Sequence, residues 1–105
     1  MEIKSRITML KLVDETEVPL TINFAKLRYL QATGYKEDVK TALKLINATA
    51  DNVDIMMMPE FFWVCYVCAG NGTPELTKDE FIGLLPWDLE YLVDVYLEIN
   101  AKKKK

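Results

Sequence analysis

The sequence predicts an α+β fold that is mostly α, with an N-terminal β-hairpin followed by a four- to five-helix bundle around a central apolar helix at about 55–70. Three observations carry this. Residues 55–70 hold one charge, Glu60, and no polar face, and a helix apolar all round belongs inside a core, a membrane or a partner. The segments after residue 23 repeat apolar residues at helical spacing and carry helix caps. The segments before it are short, contain threonine and valine, and flank a polar turn.

The chain has 105 residues, half of them hydrophobic, which suits one domain with one modest core: a hairpin at 3–22, a helical part at 23–101 and a lysine tail at 102–105. It has no histidine, which removes the commonest general base and metal ligand. The net charge of −3 is unevenly laid out. Residues 1–50 hold eight Lys/Arg and six Asp/Glu, whereas residues 51–101 hold one Lys and ten Asp/Glu. An acidic C-terminal half argues against a nucleic-acid partner, because such affinity comes mainly from neutralised phosphates. Its plain reading is a solvated acidic face. The first residues contain no apolar stretch of signal-peptide length. The 16-residue apolar run is interrupted by Pro59 and Glu60, short of the roughly 20 residues that span a bilayer. The expectation is a cytoplasmic chain, with no membrane partner and with reduced cysteines.

Residues 3–13 read as a strand, with Ile3, Met9 and Val13 apolar and Lys4, Arg6 and Lys11 alternating loosely among them. Asp14-Glu15-Thr16-Glu17 suits a turn and residues 18–22 a second strand, with Pro19 confined to an edge or the strand beginning at Leu20. Two strands alone are marginal in water, so the hairpin must lean on helices. Asn23 caps a helix over 24–33 that places Phe24, Leu27 and Leu30 along one side, and Gly34 stops it. A second helix over 36–50 carries the stripe Val39, Ala42, Leu43, Ile46 and Ala50. Asp51 or Asn52 can cap the helix after it.

The central helix covers roughly 53–69. Pro59 costs about 3 kcal/mol inside a helix, so two arrangements are open. Either Met56–Met58 form a separate turn and Pro59 opens the main helix, or one continuous helix is kinked. Glu60 and the aromatic run directly after the proline favour the first. Gly70-Asn71-Gly72 ends the helix. Thr77-Lys78-Asp79-Glu80 is a capping box, followed by Phe81, Ile82, Leu84 and Leu85, with Pro86 as the stop. Asp88 caps the last helix, whose core side is read as Leu89, Leu92, Val93, Tyr96 and Ile99.

No enzyme chemistry stands out, and neither a cofactor nor a metal is implied. Cys65 and Cys68 have C-x-x-C spacing, but a redox pair sits at a helix N-terminus, whereas these lie inside a predicted helix among aromatic residues. Without histidine or a second pair they make no zinc site, and two core thiols are the simpler reading. Glu80 and Asp88 are explained by capping. Gly70 and Gly72 lack a phosphate-loop continuation.

The apolar excess at 55–70 has two readings. One is a fully buried core helix. The other is a core helix with one side left open as a protein-binding surface, for which Met56, Met57, Phe61 and Trp63 are the candidates. Successive helical residues are about 100° apart, so these side chains cannot all face one core. Trp87, on the Pro86-Trp87-Asp88 corner, either joins that surface or plugs the core.

In order and spacing, these pieces resemble the small tail assembly chaperones of long-tailed bacteriophages and prophages. The resemblance is carried by residues 22–34 (INFAKLRYLQATG), 61–69 (FFWVCYVCA) and 75–81 (ELTKDEF), behind a short hairpin and ahead of a final acidic helix. It implies a non-enzymatic protein of the host cytoplasm that coats the long, hydrophobic tape measure protein, keeps it soluble and helps recruit tail tube subunits. A homo-oligomer is possible on this reading. It also gives Lys102–Lys105 a second reading beside that of a helix-capping tail: lysine codons at a ribosomal frameshift site. Two other classes stand beside it, a different small phage structural or regulatory interaction module and, more distantly, a thiol redox protein.

Overall fold

A computed structural model describes residues 7–46, 55–70 and 74–99. The expected strand start at 3–6, the end of the second helix at 47–50, the Asp51/Asn52 cap, the turn at 71–72 and the lysine tail lie outside the described residues.

The architecture is α+β and mostly helical, an antiparallel hairpin followed by helices. Strands β1 (Thr8–Lys11) and β2 (Glu17–Leu20) pair with Thr8 opposite Leu20 and Lys11 opposite Glu17. Leu12 N–H donates to the Thr16 carbonyl at 2.8 Å, which places Met9 and Pro19 in a non-hydrogen-bonded pair. Pro19 therefore sits inside β2 without breaking the ladder, because its missing donor faces away from β1. The inward face is Thr8, Leu10, Leu12, Val18 and Leu20, while Met9 and Val13 point outward. The turn is held by Asp14, whose carboxylate accepts from Thr16 N–H at 3.0 Å, and passes through Glu15 at φ 74°.

Helix α1 (Phe24–Ala32) starts at Asn23, whose Oδ1 accepts from Lys26 N–H at 2.9 Å. It ends where Gly34 takes φ 106° and Tyr35 N–H returns to the Leu30 carbonyl at 3.1 Å. Leu27 and Leu30 are buried, but Phe24 is exposed, against expectation. Each three-residue step falls about 60° short of a full turn, so Phe24 lies about 120° from Leu30 and the core holds only the later two. Helix α2 (Lys36–Ile46) buries Val39, Ala42 and Leu45, and leaves Leu43 at the surface. Leu43 is about 100° round from Ala42, at the centre of the buried arc, and so outside it.

A 3₁₀ turn at Ile55–Met57 precedes α3 (Met58–Ala69), with Pro59 in the first helical turn where no intrahelical donor is needed. The separate-turn arrangement is the one adopted. Helix α3 is the centre of the molecule, contacted by β2, α1, α2, α4 (Lys78–Gly83) and α5 (Leu89–Ile99). The residue after β2 joins it directly: Thr21 N–H donates to the Cys65 carbonyl at 3.2 Å.

The capping box of α4 forms as expected, with Thr77 and Glu80 bonded reciprocally at 3.0 and 3.2 Å. Asp88 accepts from Tyr91 N–H at 3.1 Å at the start of α5. Helix α5 buries Leu92, Val95 and Tyr96, and Tyr96 O–H donates to the Leu45 carbonyl. Leu89, expected in the core, is exposed. Eight of the eleven α5 residues are apolar and form more than one helical row, and the core takes the row centred on Leu92 and Tyr96.

Candidate functional site

The five candidate partner-binding residues separate into two groups. Phe61 is 0% and Trp63 4% exposed, so neither can touch a partner; both are corrected as partner-binding candidates, and of the two readings of the central helix the buried one is adopted. From Phe61 to Cys68 every side chain of α3 is buried. The short hairpin and the short helix α1 are enough, with α2, α4 and α5, to close the circumference because they approach from all sides. Met57 is half-buried, and Met56 is 78% exposed. Trp87 is 89% exposed and plugs nothing.

Phe61 and Tyr96 pack edge to face, with ring centroids 5.2 Å apart and planes at 72°. Trp63 joins a second cluster with Tyr35, Tyr66 and Phe81, in which Tyr66 and Phe81 stack at 4.8 Å. Two polar tips in that cluster are bonded: the Trp63 indole N–H donates to Asp38 Oδ2 at 3.3 Å, and the Tyr66 hydroxyl accepts from Leu76 N–H at 3.3 Å.

Above the cluster, Lys78 Nζ lies 2.8 Å from Asp38 and 2.6 Å from Glu60, tying α4 to α2 and α3. Partial burial opposes the ammonium charge, but hydrogen bonds and attraction from the two carboxylates outweigh it and raise the Lys78 pKa. The one charge of the apolar run thus pairs with the one lysine of the acidic half.

The two thiols are free and buried. Burial pushes Cys65 well above the ordinary thiol range, with Cys68 adding to it, and pushes Cys68 up to about 11. Neither supplies a thiolate at neutral pH. Among the described residues, no group of three or more His, Cys, Asp or Glu is placed to hold a metal ion, and no helix is long and apolar enough to cross a membrane.

The surface features that remain are apolar ones outside α3. β1 docks on α5 through Lys11 N–H, which donates to the Tyr91 hydroxyl at 3.0 Å, and Val13 N–H donates to the Leu84 carbonyl at 2.9 Å. These bonds frame a groove of about 360 Å³ lined by Lys11, Val13, Pro86 and Tyr91, adjoining Trp87 in the chain. Helix α5 then exposes Leu89 and Leu97. Leu97 is not among the residues that sequence reasoning singles out; the signal is present in an α5 too apolar for one core stripe. No protein-family model, curated protein or solved structure matches the chain.

Proposed function

We propose that this chain is a non-enzymatic tail assembly chaperone of a long-tailed phage or prophage, acting in the host cytoplasm on a tape measure protein and helping to recruit tail tube subunits. The observation that carries the reading is that large apolar side chains, among them Trp87, Met56, Leu89 and Leu97, stay at the surface although the core is already filled around α3. Exposed tryptophan and methionine suit binding of varied apolar segments. The order of hairpin, Asn-capped helix, apolar central helix, capping-box helix and acidic last helix agrees with the family resemblance. The acidic surface of the C-terminal half would keep a coated client in solution.

Co-expression with a tape measure fragment tests this. The fragment is expected to stay soluble with the chain and to precipitate without it; a fragment that stays insoluble in both cases overturns the reading. A different small phage interaction module would share the exposed apolar residues but not the neighbouring genes, a major tail protein and a long helical tape measure. A thiol redox role is opposed by the buried, protonated state of Cys65 and Cys68.

A further inference from the structure

The outward part of α5 carries two parallel rows. Leu89, Val93 and Leu97 recur at every fourth residue, and so do Glu90, Asp94 and Glu98. Residues at this spacing lie one above another along a helix, so each row runs about 12 Å and the two lie side by side. Leu89 and Leu97 are 41% and 43% exposed, Val93 is half-buried between them, and all three carboxylates are exposed. Like charges four residues apart destabilise a helix, and α5 has no cation of its own to relieve them. Among the described residues the ion pairs join Lys11 to Glu15 and Lys78 to Asp38 and Glu60, and none reaches this row.

We infer that this side of α5 docks a lysine- or arginine-bearing amphipathic helix of a partner protein. The partner's apolar row lies along Leu89, Val93 and Leu97, and its cations face Glu90, Asp94 and Glu98. The inference rests on the client-binding reading above and names the site and chemistry of that client. Charge complementarity sets the sign of the partner. An apolar row with a four-residue repeat, flanked by a row of charge, is matched by another helix rather than by an extended strand, whose repeat is two residues. A second copy of this chain offers no such match in its basic helix α1: Leu27 and Leu30 are buried in its own core, and the exposed Phe24 alternates with Arg28 rather than with a second apolar residue.

The test titrates the full chain, ¹⁵N-labelled, with a synthetic amphipathic leucine–lysine peptide of about five helical turns, and with the same peptide carrying glutamate for lysine. Amide shifts are expected along α5, with the lysine peptide binding at least about tenfold more tightly. Reversing the row (Glu90→Lys, Asp94→Lys, Glu98→Lys) is expected to reverse that preference. Leu89→Ser with Leu97→Ser, both at exposed positions, is expected to weaken the lysine peptide about tenfold. Equal binding of the two peptides overturns the inference. So does undiminished binding by the serine variant, which would mark diffuse charge attraction. Sedimentation of the free chain decides the second copy: self-association abolished by the charge reversal makes another copy the occupant. Peptide binding that maps to a different face removes this site and leaves the chaperone reading standing, whereas a chain that binds neither peptide and solubilises no client loses both.

Discussion

Trp63 and Asp38 are joined by a hydrogen bond of 3.3 Å from the indole N–H to a carboxylate oxygen, the other oxygen of which holds Lys78 at 2.8 Å. One carboxylate thus satisfies a buried ring and anchors the start of α4. Asp38→Ala leaves both donors without this acceptor and is expected to lower stability by about 1–2 kcal/mol, with the part-exposed lysine contributing the smaller part. Asp38→Asn keeps an acceptor for the indole and is expected to cost about half as much. Urea unfolding of the two variants measures the difference; equal losses would show that the charge, not the indole bond, matters.

The two tryptophans are expected to respond oppositely to truncation. Trp63→Ala, and likewise Phe61→Ala, empties a filled core and should destabilise by about 3–5 kcal/mol. Trp87→Ala removes a ring that contacts mostly solvent and should stay within about 0.5 kcal/mol. Its effect should fall on client solubilisation instead. Thermal melts beside the co-expression assay separate the two.

Stability is expected to fall in mild alkali because of Cys68 and Cys65. The unfolded thiol ionises near its ordinary value of 9.0, while folded Cys68 keeps its proton up to about 11. Across that interval the unfolded chain binds fewer protons, so unfolding becomes easier as pH rises, by about 1.4 kcal/mol per pH unit for one thiol. The stabilisation is intact below pH 9 and lost by about pH 11, and Cys65 adds to the slope in the same direction. Lys78 also has a raised pKa, so its pairing is intact below the ordinary lysine range and lost above it. Cys68→Ala should flatten the dependence between pH 9 and 11. Denaturant midpoints across that range provide the check.

Two backbone positions should respond in opposite senses. Glu15 holds φ 74°, so Glu15→Gly is expected to stabilise by about 0.5–1 kcal/mol, slightly reduced by loss of the exposed Lys11 pair. Gly34 holds φ 106° with open space where a Cβ would stand, so Gly34→Ala is expected to cost about 1 kcal/mol from backbone strain alone. Calorimetric melting temperatures of the two variants test both signs.

Local chemistry was legible because it acts over a few residues. Asn23 capping α1, the Thr77–Glu80 box, the Asp88 cap, the placement of Pro59 and the stop at Gly34 all follow from short-range donors, acceptors and dihedral limits. The candidate site was much less legible. Phe61, Trp63 and Trp87 are all large aromatics, and periodicity cannot rank them when a helix is apolar on every side. Leu89 and Leu43 were misplaced for the related reason that an apolar residue beside a core stripe can fall on either side of its margin.

The sequence by itself determined the order and type of the elements, their caps and breaks, and the central position of the helix at 58–69, because no other segment lacks a polar face. Only the tertiary structure decided how completely that helix is covered. Coverage depends on the directions from which β2, α1, α2, α4 and α5 approach, and those are set by long-range packing that no local pattern encodes. That packing closed around Phe61 and Trp63 and left large apolar side chains, among them Trp87, Met56, Phe24 and the outer row of α5, at the surface.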